Sequence, residues 1–155
     1  MMESILAWVQ ASSVAVAISQ SLTLNATLSS VHLVGIALLV GGALISSLRL
    51  MGVVLVAWPS DEVTCTVRRG MAVGLVLTIT TGALLVSPRV VHAAANAFFQ
   101  TKMLLLAAAV VCHVTAYHRA SVMTLQGRRS ALVGAVGLLL WLGVVLAGAA
   151  FILLE

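Results

Sequence analysis

The sequence predicts an all-α integral membrane protein: an antiparallel four-helix bundle preceded by an N-terminal interfacial helix. Three observations carry that prediction. Of 155 residues, 62% are hydrophobic and 8% charged, against about 25% charged in an ordinary soluble domain, and the mean hydropathy is +1.20. The apolar residues fall into runs long enough to cross a hydrocarbon core, which takes about 20 helical residues. The few charges stand at the ends of those runs, where topology signals belong.

The first element is the least regular. No Asp, Glu, Lys or Arg occurs between Glu3 and Arg49, and a helix over those 45 intervening positions would be about 68 Å long, twice a bilayer core. A break is therefore required. The stretch "SLTLNATLSS", with Asn25 among Ser and Thr, is the place the sequence offers for it. Upstream, residues 4–20 carry Gln10, Ser12, Ser13, Ser19 and Gln20 and read as a helix lying in the interface, with a fifth span as the alternative. The spans follow at about 28–57, 70–88, 99–118 and 130–154, joined by "WPSDEVTCTVRR", "PRVVHAAANA" and "RASVMTLQGRRS". Connections this short make residues 1–155 a single transmembrane domain.

Orientation follows from the cations. With the first and third connections inside, Arg49, Arg68, Arg69, Arg119, Arg128 and Arg129 are cytoplasmic, and Arg89 and Lys102 are outside. Both termini then lie on the outer face of a bacterial inner membrane. The start "MMESILAWVQ" lacks the positively charged region of a signal peptide, so the chain reads as unprocessed.

Helices in lipid are held by close approach and interhelical hydrogen bonds rather than by hydrophobic burial. Gly70, Gly74, Thr78 and Gly82 form a stripe of small residues at four-residue spacing on the second span, the mark of a helix contact. Such faces also suit membrane protein partners or a homo-oligomer. The net charge of +4 comes without a basic-aromatic patch, so the expected surroundings are a lipid bilayer and no nucleic acid.

No catalytic signature appears: the chain has no nucleophile elbow, no phosphate-cradling loop and no paired carboxylates, so no catalytic residue is assigned. The acidic inventory, Glu3, Asp61, Glu62 and Glu155, lies outside the spans. That argues against a carboxylate-driven pump. Cys65 and Cys112 have neither the number nor the spacing of a disulfide framework or thiolate metal site. Trp8, Trp58, Trp141 and Tyr117 read as interface or packing aromatics.

Histidine remains, and an ionisable residue within a membrane helix is a functional hypothesis by default. Imidazole is the usual axial ligand of haem b, with one ligand on each side of the ring. Counting from Arg49 puts His32 about 5 Å below the outer surface, and His113 about 15 Å lower than His32. His92, just after the second span, is on the outer side. The depths favour a site on His32 and His92, with Met103 as a weaker second ligand and an inner site on His113 as the alternative. His113 and His118 stand about 140° apart around one helix and cannot chelate one metal from one face. Gly35 would give the ring room, and Arg89 or Lys102 would meet its propionates. Equally, any of these histidines can serve as a hydrogen-bonding residue in a helix contact.

The pieces "VHLVGIALLVGGALISSLRLMG", "GLVLTITTGALL" and "NAFFQTKMLLLAAAVVCHVTAYHR" resemble small bacterial four-helix membrane proteins of unassigned function, similar in pattern to the CopD-type copper-resistance membrane domain. In that pattern a His-x-x-Gly opens the first long helix, a Leu-Arg-Leu closes it, and a Phe-x-x-Lys opens the third. Here these are His32 with Gly35, Leu48 to Leu50, and Phe99 with Lys102. The pattern carries an acidic residue just before the Leu-Arg pair, where this chain has Ser47. The resemblance implies a histidine-bearing bundle of the kind shared with membrane b-type cytochromes and copper-handling proteins. The leading expectation is a haem b electron-transfer protein or a haem-bearing subunit of a redox complex. The alternatives are an accessory membrane subunit without cofactor and a copper-handling protein.

Overall fold

Ser21 settles where the long uncharged N-terminal region breaks. Its hydroxyl accepts a hydrogen bond from the Leu24 N–H at 3.2 Å and caps a 29-residue helix. The computed structural model describes residues 2–117 and 128–153. Those residues are all-helical: α1 (Met2–Gln10), α2 (Ser13–Gln20), α3 (Leu22–Leu50), α4 (Ser60–Val86), a 3-10 turn (Ser87–Arg89), α5 (Val90–Ala95), α6 (Ala97–Cys112) running into a π-helical turn (His113–Tyr117), and α7 (Arg128–Leu153). Four helices, Leu22–Leu50, Asp61–Ala95, Ala97–Thr115 and Arg128–Phe151, are long and apolar enough to cross a membrane. His118, Met123 and most of the third connection lie outside the described residues, as do Leu154 and Glu155.

The break falls at Ser21, the first residue of the expected stretch "SLTLNATLSS". The polar residues that suggest it are absorbed by the helix: Thr27 and Ser30 donate to the carbonyls of Thr23 and Ala26 at 2.8 and 2.9 Å. A hydroxyl bonded within its own helix removes the reason for the chain to leave it. Residues 4–20 form two short helices rather than one, because the extended backbone at Ser12 (ψ 148°) restarts the chain, with Ser12 Oγ accepting from Ala15 N–H at 3.3 Å. With 9 and 8 residues, neither reaches the length of a span. They lie across the α4–α5 corner, where the Gln10 side-chain oxygen accepts from Val91 N–H at 3.3 Å.

The first long helix ends at Leu50, not near residue 57, because Gly52 takes up a positive φ of 74° that stops it. Arg49 then donates through Nε and Nη2 to the Trp58 carbonyl, the Nε bond at 2.9 Å, and holds the turn closed. The polar segment after Trp58 is helix rather than connection. Pro59 precedes it, and Asp61 and Glu62 sit in its first turn, where acidic groups complement the helix dipole.

α3 packs along α4 and along α7, and α7 packs along α6, whereas α4 and α6 barely touch. In the α3–α4 seam, close contacts join Gly42 to Met71, Leu39 to Gly74 and Gly35 to Thr78. The residues step by three and four on both helices, in opposite directions, as in antiparallel knobs-into-holes packing. The seam is tight at its glycines. A Cβ on Gly74 would stand 2.7 Å from the Leu39 nitrogen and 2.8 Å from the Gly35 carbonyl oxygen. On the α3–α7 side, a Cβ on Gly134 would stand 2.6 Å from the Ser47 carbonyl oxygen. Gly70, the first member of the stripe, meets nothing within 4 Å. Leu39, Ala43, Met71, Ala109, Trp141 and Val144 form the buried centre. Leu33, Leu104, Leu139 and Leu146, exposed by 64, 73, 69 and 68%, show that the outer faces are as apolar as the centre, the composition expected of helices surrounded by lipid.

Buried Ser130 ties the start of α7 to the end of α3 by donating to the Leu50 carbonyl at 2.9 Å. Ser130→Ala leaves that carbonyl without this partner and is expected to cost about 1 kcal/mol, read as a shifted midpoint in detergent-mediated unfolding.

Candidate functional site

His32 is the next step of the α3–α4 seam. Its Nδ1 lies 2.8 Å from Thr81 Oγ1, one further move of three residues along each helix from Gly35 and Thr78. The Thr81 hydroxyl donates to the Leu77 carbonyl, so its hydrogen is already committed. Thr81 Oγ1 therefore meets the imidazole as an acceptor, and Nδ1–H is the donor. The ring also has a hydrogen bond with the backbone of Thr78, so α4 holds the imidazole at two places. A ring nitrogen bonded in this way fixes both the tautomer and the orientation of the other nitrogen, which is the arrangement that supports a histidine acting as a ligand. Gly82 lies beside the ring; a Cβ there would be 3.0 Å from His32 Cε1.

The imidazole borders a half-open cavity of about 370 Å³ at the end of the molecule opposite Arg49. This volume lies within the range of small-molecule sites. Five separate elements supply its walls: α3 gives Asn25, Ser29 and His32, α4 gives Gly82 and Leu85, the 3-10 turn gives Arg89, α6 gives Phe99 and Lys102, and α7 gives Phe151. Asn96 sets the start of α6, its side-chain oxygen accepting from Phe98 and Phe99 N–H at 2.8 and 3.3 Å. That cap brings Phe99 and Lys102 one turn into the helix and onto the cavity. Phe99 and Phe151 pack with ring centroids 5.5 Å apart, and the Arg89 guanidinium sits 5.9 Å above the centre of the Phe151 ring, within cation–π range. Lys102 lies over Gly148, whose absent Cβ would be 3.4 Å from Nζ, and it is near enough to His32 for the two to interact electrostatically.

Two cations and an imidazole thus line one cavity, and no Asp or Glu is among the described residues that line it. The chemistry asks for an anionic group on an otherwise apolar ligand.

Of the residues the sequence puts forward, the structure brings His32, Arg89 and Lys102 to one cavity. Gly35 is two steps away in function: it serves the α3–α4 seam, and the glycine beside the imidazole is Gly82. His92, exposed on α5, and Met103, 40% exposed on α6, are not among the cavity's lining residues. His113 borders a second cavity of about 140 Å³ with Trp141 and Met71. Among the described residues no three His, Cys, Asp or Glu are grouped as a metal site, and Cys65 and Cys112 are free. Sequence reasoning missed Thr81, Gly82, Phe99 and Phe151 as parts of the site.

A family profile matches residues 5–152, nearly the whole described length. The chain belongs to DUF6644, a family of unknown function. No curated protein and no solved structure gives a match beside it. The match is consistent with the expectation of a family of unassigned function, and the comparisons show no CopD-type or b-type cytochrome resemblance. For this DUF6644 protein the site's geometry, rather than a relative, has to carry the functional argument.

Proposed function

We propose that this DUF6644 chain is an integral protein of a bacterial inner membrane that binds haem b in the His32 cavity and transfers electrons, alone or as a subunit of a larger redox complex. Its four long helices cross the bilayer as an antiparallel bundle. The end bearing Arg49, Arg68, Arg69, Arg128 and Arg129 faces the cytoplasm, and the His32 end, with both termini, faces out. The observation that carries the proposal is the His32–Thr81 hydrogen bond at the edge of a cavity lined by two cations; with Nδ1 as its donor, Nε2 would be the nitrogen left to a ligand.

The fit follows from this chain's own groups. His32 Nε2 would hold the iron, Gly82 lets the imidazole itself pack against α4, and Arg89 and Lys102 would take the two propionates. Phe99 and Phe151 supply an apolar wall. A haem held there supplies one-electron chemistry; the protein orients it and limits access of water. The proposal rests on His32 alone as protein ligand, because His92 and Met103 stand outside the lining.

A second reading, an accessory subunit without cofactor, is favoured by Gly41 and Gly70, which meet nothing within 4 Å and could each receive a partner's helix. A reduced-minus-oxidised absorption spectrum of protein purified from haem-replete cells separates the two. The expected result is a Soret band and a reduced α-band. Colourless protein arriving with other membrane subunits would overturn the haem reading in favour of the accessory one.

A further inference from the structure

The two cations of the His32 cavity are docked on one helix, α7. The Arg89 guanidinium stands 5.9 Å above the centre of the Phe151 ring. The end of the Lys102 side chain lies along Gly148, whose absent Cβ would be 3.6, 3.4 and 3.4 Å from Cδ, Cε and Nζ. Gly148 and Phe151 are three residues apart, neighbours on one face of the helix. Packing therefore sets the two cations on points about one helical turn apart, and a single group with several anionic oxygens can meet both.

Lys102 needs such a group. It lies within the span Ala97–Thr115, about 8 Å along α6 from Ala97, and a cation inside a membrane helix is costly unless it is paired. No Asp or Glu among the described residues lines the cavity, so its walls offer Lys102 no counter-charge. The rest of the lining says what should carry the anion. Leu33, Leu85, Val86, Phe99 and Phe151 line the same half-open cavity, and Leu33 is 64% exposed. An apolar wall thus runs from the cations out to the surface of α3, which faces lipid in the proposed membrane setting.

We infer that the cavity also binds an anionic phospholipid of the outer leaflet: Arg89 and Lys102 take its phosphate, and an acyl chain leaves past Leu33 into the bilayer. Basic pockets between transmembrane helices hold anionic headgroups in this way. A free phosphate ion shares the headgroup's chemistry but makes no use of the apolar wall. A phospholipid and a haem would meet the same two cations, so each excludes the other. That competition rests on the haem reading; the lipid site itself does not.

The full chain, purified from haem-depleted cells, is titrated with phosphatidylglycerol or phosphatidylcholine of the same acyl chains and read by native mass spectrometry. The expected result is one phosphatidylglycerol retained in preference to phosphatidylcholine, with affinity falling about fivefold in each of Lys102→Met and Arg89→Gln. Arg68→Gln with Arg69→Gln, which removes as much charge at the opposite end of the molecule, is expected to leave that lipid in place. Equal retention of the two lipids, retention unchanged in both Lys102→Met and Arg89→Gln, or displacement of the lipid by inorganic phosphate overturns the inference. A haem titration in nanodiscs of either lipid then separates the two readings of the cavity. Weaker haem uptake in phosphatidylglycerol is the result expected of a shared site, and equal uptake overturns the sharing. Protein that takes up no haem yet retains phosphatidylglycerol through Lys102 and Arg89 loses the haem reading and keeps the lipid site.

Discussion

Gly74→Leu is expected to abolish the folded protein, while Gly70→Ala, four residues away on the same helix, leaves it intact. The difference lies in what each new side chain would meet. At Gly74 even a single Cβ stands 2.7 Å from the Leu39 nitrogen and 2.8 Å from the Gly35 carbonyl oxygen. Both are backbone atoms of α3, so no rotamer change can make way. The helices must separate, and every contact of the seam loosens together. Overpacking a close-packed site usually costs about 1–3 kcal/mol; Gly74→Ala is expected toward the upper part of that range. Leucine, with three further carbons aimed at the same backbone, is expected to exceed it and to yield aggregated or degraded protein. Gly70 meets nothing within 4 Å, and alanine there gains helix propensity of up to about 1 kcal/mol. Size-exclusion profiles and thermal unfolding of the three variants in detergent measure the contrast. Equal behaviour of Gly70→Ala and Gly74→Ala would show that α3 and α4 do not meet at this seam.

The same seam shows how far the sequence can be read. Four long apolar helices follow from composition, since nothing else hides so much apolar surface with so few charges. The helix ends follow less well, because they depend on local bonds that composition does not show. Asn25 suggests a break, yet Thr27 and Ser30 turn their hydroxyls onto their own helix. The segment after Trp58 looks like a connection because it is polar, yet Asp61 and Glu62 start a helix there. His32 is visible as an imidazole in an apolar run, and Arg89 and Lys102 are visible as cations near the same end. Thr81 is not visible alone. Its signal is relational: Gly35, Leu39 and Gly42 pair with Thr78, Gly74 and Met71, and continuing the three-four step by one position sets His32 against Thr81. Finding that from one chain requires knowing which face of α4 meets α3, and a stripe containing Gly70 as well as Gly74 points to a broader face than the one used. Phe99 and Phe151 come together across two helices that a single sequence gives no means of aligning.

His32→Ala is expected to remove haem absorption from the purified protein, and Thr81→Val to weaken it without removing it. The order follows from what each group does. His32 supplies the nitrogen that would hold the iron, so no other residue lining the cavity replaces it. Thr81 acts one step back: its Oγ1 lies 2.8 Å from Nδ1 and, accepting the Nδ1 hydrogen, would leave Nε2 for the iron. Losing such a supporting bond typically costs 10- to 100-fold in metal affinity (about 1–3 kcal/mol), which a haem titration of the stripped protein resolves. Valine keeps the β-branched shape, so a change in titration reports the lost oxygen rather than a cavity. The alternative, that His32 and Thr81 merely join two helices, predicts a different pattern. An interhelical hydrogen bond in lipid averages about 0.6 kcal/mol, and the two variants would then lose similar, small amounts of unfolding free energy, with the double variant losing no more than either. Colourless wild-type protein showing that cycle would make His32 a packing residue. A Soret band that disappears in His32→Ala and titrates weakly in Thr81→Val, with unfolding little changed in both, would make it the ligand.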